Sequence, residues 1–600
     1  MTLRYAFRML LSNSCTVSVT VVHAFMRVFA AFAMFLVGGS AALAQGVPAS
    51  TQVTNPTSSQ ADNDTSKAAS KAVRNSANTT TRRPNILFIM SDDHGKQAIS
   101  CYGATAAPGL VSTPGIDRLA REGMRFDRAS VTNAICGPSR AVMLTGKHSH
   151  LNGFATNDQK FDGTQQTFPK LLQAAGYRTE VIGKWHLESD PTGFDHWDVL
   201  VGQGDYWNPT FIVDGARTKR EGHVTDIIHA NALERLRALA PAAKDDKPFA
   251  MLVHHKAPHR NWMPTARHLN LFKEDEIPLP ATFFDRYEGR SRASSMQTMQ
   301  VDRDLAWEYD LKVPARELFP DRKLDGLDSW MQREIERIPG EIQRAIVEAY
   351  RDENRKLIER YSRMKPKSLA EWRFQRYAKD YLRTAQGVDD SVGGILEELD
   401  RLGLADNTIV VYTSDQGWFL GEHGWFDKRW MYEESFRMPL VVRWPARVPA
   451  GATSDALVQN LDFAPTFLAA AGVSVPADMQ GKSMLPLLAA GGATDKPFRD
   501  AVYYRFEESK GSHTVPRHEG VATERWKLIR FLDLIDPATG ERTLELYDLA
   551  ADPDELRSLA GDPKHAETLR AMTQKLEAIR AQYQVDVPRA GNAASAPATP

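Results

Sequence analysis

The run V-T-N-A-I-C-G-P-S-R-A-V-M-L-T-G, from Val131 to Gly146, decides how this chain is read. Its centre is Cys136-Gly137-Pro138-Ser139-Arg140. Pro138 fixes its own φ and disfavours a helical Gly137. A helix is therefore expected to open at Ser139 and run through Ala141, Val142, Met143 and Leu144. Cys136 then lies at or just before a helix N-terminus, where unpaired N–H groups favour a negative group. A guanidinium four residues on, Arg140, reaches toward the same spot. The same pattern also suits a buried cysteine at a turn.

Working outward, four apolar runs end in chemistry. Asn85 to Met90, apolar from Ile86, reads as a strand buried on both faces and ends in Ser91-Asp92-Asp93-His94-Gly95. Thr408 to Ser414 is a second such strand, ending in Asp415-Gln416-Gly417. Carboxylates at the inner ends of buried strands are costly unless a cation is near. Open α/β sheets collect ligands at the C-terminal ends of their strands. Thr179 to Gly183 delivers Lys184-Trp185-His186, and an extended backbone puts Lys184 and His186 on one face. Phe249 to Val253 ends in His254-His255-Lys256-Ala257-Pro258-His259. A cation beside an imidazole suits an oxyanion. Taken singly, each of these segments is also an ordinary polar turn.

Six hundred residues exceed one ordinary core, so at least two structural units are expected. The 75 acids and 74 bases nearly cancel, which gives no whole-protein charge argument for nucleic acid or an anionic membrane. Arg27, the apolar run Val28 to Val37, and Ala42-Leu43-Ala44 have the layout of a secretory leader cleaved near Ala44, with Met1 or Met26 as the start. The run is short for a membrane anchor, so no stable span is expected after processing, and the mature protein is expected to be periplasmic or secreted. Residues 45–82 are rich in Ser, Thr, Asn and Ala and read as a disordered linker. Of three cysteines only Cys101 and Cys136 would remain, allowing at most one internal disulfide.

Thr113 to Gly123 reads as a short capped helix, and Gln165 to Gly176 is helical by period. Residues from about 285 to 380 are charged and mostly helical by pattern, read as an insertion between core strands. Tyr381 to Leu402 is a clearer amphipathic helix. Gly421-Glu422-His423-Gly424-Trp425-Phe426-Asp427-Lys428-Arg429 follows the strand Thr408 to Ser414. Short strands are expected at 501–506, 520–523, 526–531 and 544–546, closed by a helix from Glu567 to Tyr583. His513, Arg517 and His518 are expected in a polar, solvated loop. The expected units are a catalytic domain over 83–495, a C-terminal subdomain over 496–588 and a disordered tail over 589–600.

The central segment resembles the sulfatase signature C-x-P-S-R followed by L-T-G, with every fixed position present. Asp92-Asp93, Thr113-Pro114-Gly115-Ile116-Asp117, Gly183-Lys184-Trp185-His186, the Pro258-His259 pair and Lys428 resemble further motifs of that family, in its order. The wording L-G-E-H-G-W-F-D-K-R is similar to bacterial glycan and glycosaminoglycan sulfatases. Glu545-Leu546-Tyr547-Asp548 and its neighbours resemble the C-terminal part of N-sulfoglucosamine sulfohydrolase-like proteins. Gln416 departs from the family, which more often has Asn or His there.

The resemblance implies an alkaline-phosphatase-like α/β fold, a mixed central sheet flanked by helices, with a smaller C-terminal antiparallel sheet plus helix. It implies conversion of Cys136 to formylglycine by dedicated maturation machinery, and one divalent cation, Ca2+, held by Asp92, Asp93, Asp415, Gln416 and the modified Cys136. Arg140 would support the gem-diol nucleophile, Lys184, His259 and Lys428 would hold sulfate oxygens, and His186 would serve as base. His259 or Lys428 would protonate the leaving alcohol. His423, Arg429 and His255 are candidate sugar contacts. The implied activity is hydrolysis of a sulfate ester on a sulfated hexosamine, with no nucleic-acid partner. Hydrolysis of a phosphonate or phosphate monoester is the alternative on the same fold, and a sugar-binding protein without turnover is the alternative outside enzymes.

Overall fold

The computed structural model describes residues 82–585, apart from 322, 324, 325 and 509–512. The expected leader, the linker up to residue 81 and the tail lie outside the described residues. No helix among the described residues is long and apolar enough to cross a membrane.

A ten-stranded mixed sheet forms the body of the chain. From edge to edge it runs Ala452–Ser454, Met124–Phe126, Leu440–Arg443, Thr408–Ser414, Asn85–Ser91, Phe249–His254, Arg178–Gly183, His196–Leu200, Thr210–Val213 and Ala216–Lys219. The five strands from Thr408–Ser414 to His196–Leu200 are mutually parallel. The runs around Ile86–Met90, Val410–Tyr412 and Ala250–Val253 are buried along their whole length, as strands covered on both faces must be. One face packs Leu87, Ile89 and Val253 against the helices Val224–Lys244 and Pro366–Arg401. The other packs Phe88 and Leu252 against Phe463 and Phe467 of the helix Phe463–Ala470 and against Met143 and Leu144.

The signature helix spans Cys136–Thr145, three residues earlier than Pro138 suggests, and all ten residues are buried. Pro138 falls in the first turn, where a backbone N–H has no intrahelical partner and its loss costs nothing. The charged insertion is less helical than its pattern: among its described residues before Gly326 it holds only the short helices Ala293–Met296 and Ala315–Leu318. Gly326–Arg337 and Gly340–Arg360 follow as expected. The amphipathic helix is longer than read, one 36-residue element from Pro366 to Arg401 that crosses residue 380 without a break.

A four-stranded antiparallel sheet, Val502–Phe506, His518–Ala522, Trp526–Ile535 and Arg542–Asp548, carries the closing helix Ala566–Gln582 on one face. Its other face puts Tyr504, Phe506, Phe531 and Tyr547 into the same core as Trp430, Tyr432 and Phe436.

Candidate active site

Four adjacent parallel strands end side by side and deliver the candidate residues. Register pairs Ser91 with Ser414, Met90 with His254, and Gly183 with His254. Asp92–Asp93, Asp415–Gln416, Lys184–His186 and the 255–259 loop therefore leave the sheet at one level. The first turn of the helix Cys136–Thr145 closes over them. Arg140 fixes it there: Nε and Nη2 donate to Asp415 Oδ2 at 3.0 and 2.8 Å, and Nη1 donates to the Lys184 carbonyl at 2.7 Å. Ser139 donates to the Asp415 carbonyl and accepts from Asn460 at 2.9 Å. Gly137 N–H donates to Asn157 Oδ1 at 3.1 Å.

Carboxylate oxygens of Asp92, Asp93 and Asp415 lie within 4.8 Å of one another, and all three residues are fully buried. A second trio, Asp92, Cys136 and His259, meets the same limit. Lys184 Nζ bonds Asp92, and Lys428 Nζ bonds both oxygens of Asp93 at 2.6 and 2.7 Å. Gln416 Nε2 donates to Asp93 and, at 2.7 Å, to Asp415. Two buried oxygens have no protein partner, Asp92 Oδ1 and Gln416 Oε1. His259 Nδ1 donates to the Arg260 carbonyl at 2.5 Å, which leaves Nε2 facing Asp93, 3.9 Å from Oδ2. A carbonyl only accepts, so this bond fixes the tautomer.

The electrostatics follow from burial. Desolvation works to raise Asp92, but Lys184, His259, Arg140 and Lys428 outweigh it and hold its carboxyl well below the ordinary range. Burial pushes Asp93 up to about 8 and Asp415 up to about 6, despite Lys428 and Arg140. Burial opposes the charge on Lys428, yet Asp93 keeps it well above its ordinary value. Three protein cations match the three carboxylates in number, while burial still opposes the charge on Asp93 and Asp415. A hard divalent cation fits this oxygen-rich donor set, including the two orphan oxygens once the Gln416 amide turns over. Burial, then Asp92, pushes the Cys136 thiol far up, so the unmodified side chain is a poor nucleophile. Burial and then Lys184 hold His186 and His259 well below the usual imidazole range.

The expected extended path through Lys184 and His186 does not continue. Gly183 at φ 96° and His186 at φ 56° bend the segment, and His186 packs by the first helical turn with Nδ1 buried and unpartnered. Two expected sugar contacts lie elsewhere. His255 is buried with both ring nitrogens unpartnered, and the charge acting on it is His229 of the helix Val224–Lys244 rather than the aspartates. His423 is buried among Phe419, Trp425 and Tyr432, with Nδ1 3.0 Å from Asp285 and 3.2 Å from Arg290. Arg429 does adjoin the cluster, paired with Asp427, and its Nε is buried and unpartnered.

Three residues outside the expected catalytic and metal set join the site. Asp427 precedes Lys428 and bonds His513 Nε2 at 3.1 Å. His513 is buried rather than solvated, its Nδ1 donating to the Thr298 carbonyl at 2.8 Å. His518, from the same expected loop, is a buried strand residue. Gln203, an exposed residue after the strand His196–Leu200, places its side-chain oxygen on Lys184 Nζ. The F-D-K-R wording was a usable signal for Asp427, whereas nothing near Gln203 marks it.

The model of the family described as "Sulfatase" matches residues 84–473. The chain belongs to the sulfatase family. It is a sulfuric ester hydrolase by that membership. A second model, "N-sulphoglucosamine sulphohydrolase, C-terminal", matches residues 421–582. The sulfatase is 48% identical over 489 residues to the N-acetylglucosamine-6-O-sulfatase of Bacteroides thetaiotaomicron, covering 81% of this chain and 84% of the relative. A solved structure in complex with its substrate D-glucosamine-2-N,6-O-disulfate matches at TM-score 0.78 and 47% identity, covering 84% of this sulfatase and 99% of that chain. The phosphonate monoester hydrolase of Silicibacter pomeroyi matches at TM-score 0.60 and 18% identity over 83% and 96% of the two chains, a likeness of fold alone.

Proposed function

We propose that this sulfatase is exported and hydrolyses the 6-O-sulfate of a glucosamine residue in a glycosaminoglycan-type sugar. The observation that carries the reading is a ring of buried Lys184, Lys428 and Arg140 and half-buried His259 around paired aspartates, in a chain 48% identical to an N-acetylglucosamine-6-O-sulfatase. A divalent cation, Ca2+ in our reading, would be held by Asp92, Asp93, Asp415 and Gln416 beside the modified Cys136, and would supply a hard Lewis acid for anionic oxygens. Cys136 as formylglycine would supply an aldehyde hydrate whose two hydroxyls divide attack on sulfur from release of sulfate.

The remaining roles belong to the chain itself. Lys184 and Lys428 hold ammonium groups where sulfate oxygens gather charge. Arg140 ties the first helical turn to two strand ends, so the nucleophile and the cations keep one geometry. His186, neutral through burial, is a base for the second hydroxyl. Lys428, kept charged by Asp93, is ready to protonate the leaving alcohol. His259 takes that role only with sulfate bound, whose charge offsets its burial. Asp427, Arg429 and His513 form the polar wall next to Lys428 and are the candidate sugar contacts.

Release of sulfate from glucosamine-6-sulfate, from the 2-N-sulfate, from aryl phosphate and from phenylphosphonate tests the assignment. The 6-O-sulfate is expected to be preferred by orders of magnitude. Preference for phosphonate would overturn it. Peptide mass spectrometry across Cys136 from the native host is expected to find formylglycine or its hydrate, and an unmodified thiol removes the proposed nucleophile.

A further inference from the structure

The residues from Arg355 to Lys367 hold six cations, Arg355, Lys356, Arg360, Arg363, Lys365 and Lys367, against one acid, Glu359. In a chain whose total charge nearly balances, this is a concentrated positive patch. The cations sit on the turn between the helices Gly340–Arg360 and Pro366–Arg401, and all six are exposed. Arg355 is the one paired with acids, Glu359 at 3.2 Å and Asp352 at 3.8 Å. Among the described residues, Lys356, Arg360, Lys365 and Lys367 meet no carboxylate. Lys367 Nζ instead lies 5.2 Å over the ring of Phe284, which is 46% exposed and so presents a large bare aromatic surface at the foot of the turn.

The fold decides which end of the molecule this patch occupies. The helix Pro366–Arg401 leads through Ala405–Asn407 directly into the N-terminal end of the strand Thr408–Ser414, so it runs against the central strands. Midway along it, Tyr381 donates to the Asp93 carbonyl at 2.7 Å and accepts from Gly95 N–H at 2.9 Å, level with the candidate active site. The N-terminal half of the helix therefore projects beyond the site. At 1.5 Å per residue, Lys367 stands about 20 Å above Tyr381. Phe284 belongs to the same surface: Phe283 packs on Phe374 of this helix, and Tyr287 donates to the His423 carbonyl at 2.9 Å, on the loop that also carries Lys428.

We infer that this basic turn, with Phe284 beneath it, docks the distal part of a sulfated polysaccharide whose terminal sugar occupies the active site. Unpaired surface cations attract a polyanion and raise its local concentration. An exposed ring flanked by a cation offers an apolar face for a sugar ring and a charge for its sulfate. The inference takes its partner class from the proposed function, and its geometry stands apart from it.

The test uses the full mature chain and a variant combining Arg360→Ser, Arg363→Ser, Lys365→Ser and Lys367→Ser. Immobilised heparin is the binding probe, and sulfate release is followed on a heparin decasaccharide and on glucosamine-6-sulfate. The variant is expected to elute from heparin at lower salt and to lose about tenfold in kcat/KM on the decasaccharide, with monosaccharide turnover unchanged. Phe284→Ala, which changes no charge, is expected to lower heparin retention as well. Unchanged elution of both variants overturns the inference. So does equal retention of the native chain on single-stranded DNA or on phosphatidylserine vesicles, since the turn would then be a general polyanion surface. Should neither protein release sulfate from glucosamine-6-sulfate, the proposed activity fails while the elution shift still decides the docking.

Discussion

Lys184 and Lys428 each set an ammonium group against one of two adjacent buried aspartates, a pairing that makes both charges tolerable in a desolvated site. Replacing Lys428 by Ala leaves Asp93 without its partner and removes a donor from the sulfate position. A fall in kcat/KM of about 10²–10³-fold is expected, as for other preorganised donors to developing charge. Lys428→Arg should restore little, because the planar guanidinium does not fit a point-charge site beneath Trp418. Sulfate release at saturating and limiting substrate measures both. The burial of these carboxylates predicts the response to a chelator. Removing a bound cation exposes the mutual repulsion of three buried carboxylates, so activity should vanish and the melting temperature should fall, with Ca2+ restoring both. A melting temperature insensitive to both chelator and Ca2+ would count against the site as a cation site. Asp92, Asp93, Lys184 and Asp415 were legible because each sits in the first few positions after a buried strand, and Lys428 through the motif that carries it. Gln203 and His513 were not, because their roles come from separate loops meeting Lys184 and Asp427, which no local pattern records.

At the scale of elements, the site depends on how abruptly strands stop. Gly183 ends the strand Arg178–Gly183 at φ 96°, and an added Cβ would stand 2.0 Å from the His254 carbonyl oxygen. That obstacle is backbone of the neighbouring strand, so it cannot swing away. Gly183→Ala is expected to cost about 2–4 kcal/mol of stability and to displace Lys184. Denaturant unfolding should show the loss, and sulfate release by the remaining folded protein should fall further than its folded fraction. The Gly of the G-K-W-H segment is thus a geometric requirement of the fold as well as a motif letter. Strands buried on both faces announced themselves as continuous apolar runs. The short strands Met124–Phe126 and Ala452–Ser454 did not, because three residues carry no usable period. The signature helix began earlier than Pro138 implied because the first turn of a helix accepts a proline that its interior would reject.

At the scale of the whole molecule, the C-terminal sheet is part of the machinery that shapes the site. Its inner face shares one core with Trp430, Tyr432 and Phe436, and it brings His513 to Asp427. The sequence pattern separated the two halves correctly as sheets, but their joining through side chains distant in sequence could not be read from it. Tyr504 is the clearest joint. Its hydroxyl donates to the Arg429 carbonyl at 2.6 Å and accepts from Ala134 N–H at 3.2 Å, so one buried oxygen clamps the loop after Lys428 to the segment before Cys136. Tyr504→Phe keeps the ring and its packing and leaves that N–H and that carbonyl unpaired. The expected loss is about 1–3 kcal/mol, the desolvation cost of buried polar groups left without partners. In a chain of this size, that corresponds to a melting temperature lower by about 1–3 °C. If the clamp also sets the distance between the nucleophile and Lys428, kcat should drop about tenfold, since a misplacement of about 1 Å can already cost about 100-fold. KM is expected to shift as well, because the freed carbonyl belongs to Arg429, a candidate sugar contact. A lower melting temperature with native kcat would instead make Tyr504 a packing residue, and the C-terminal sheet a support whose influence ends at the loop backbone.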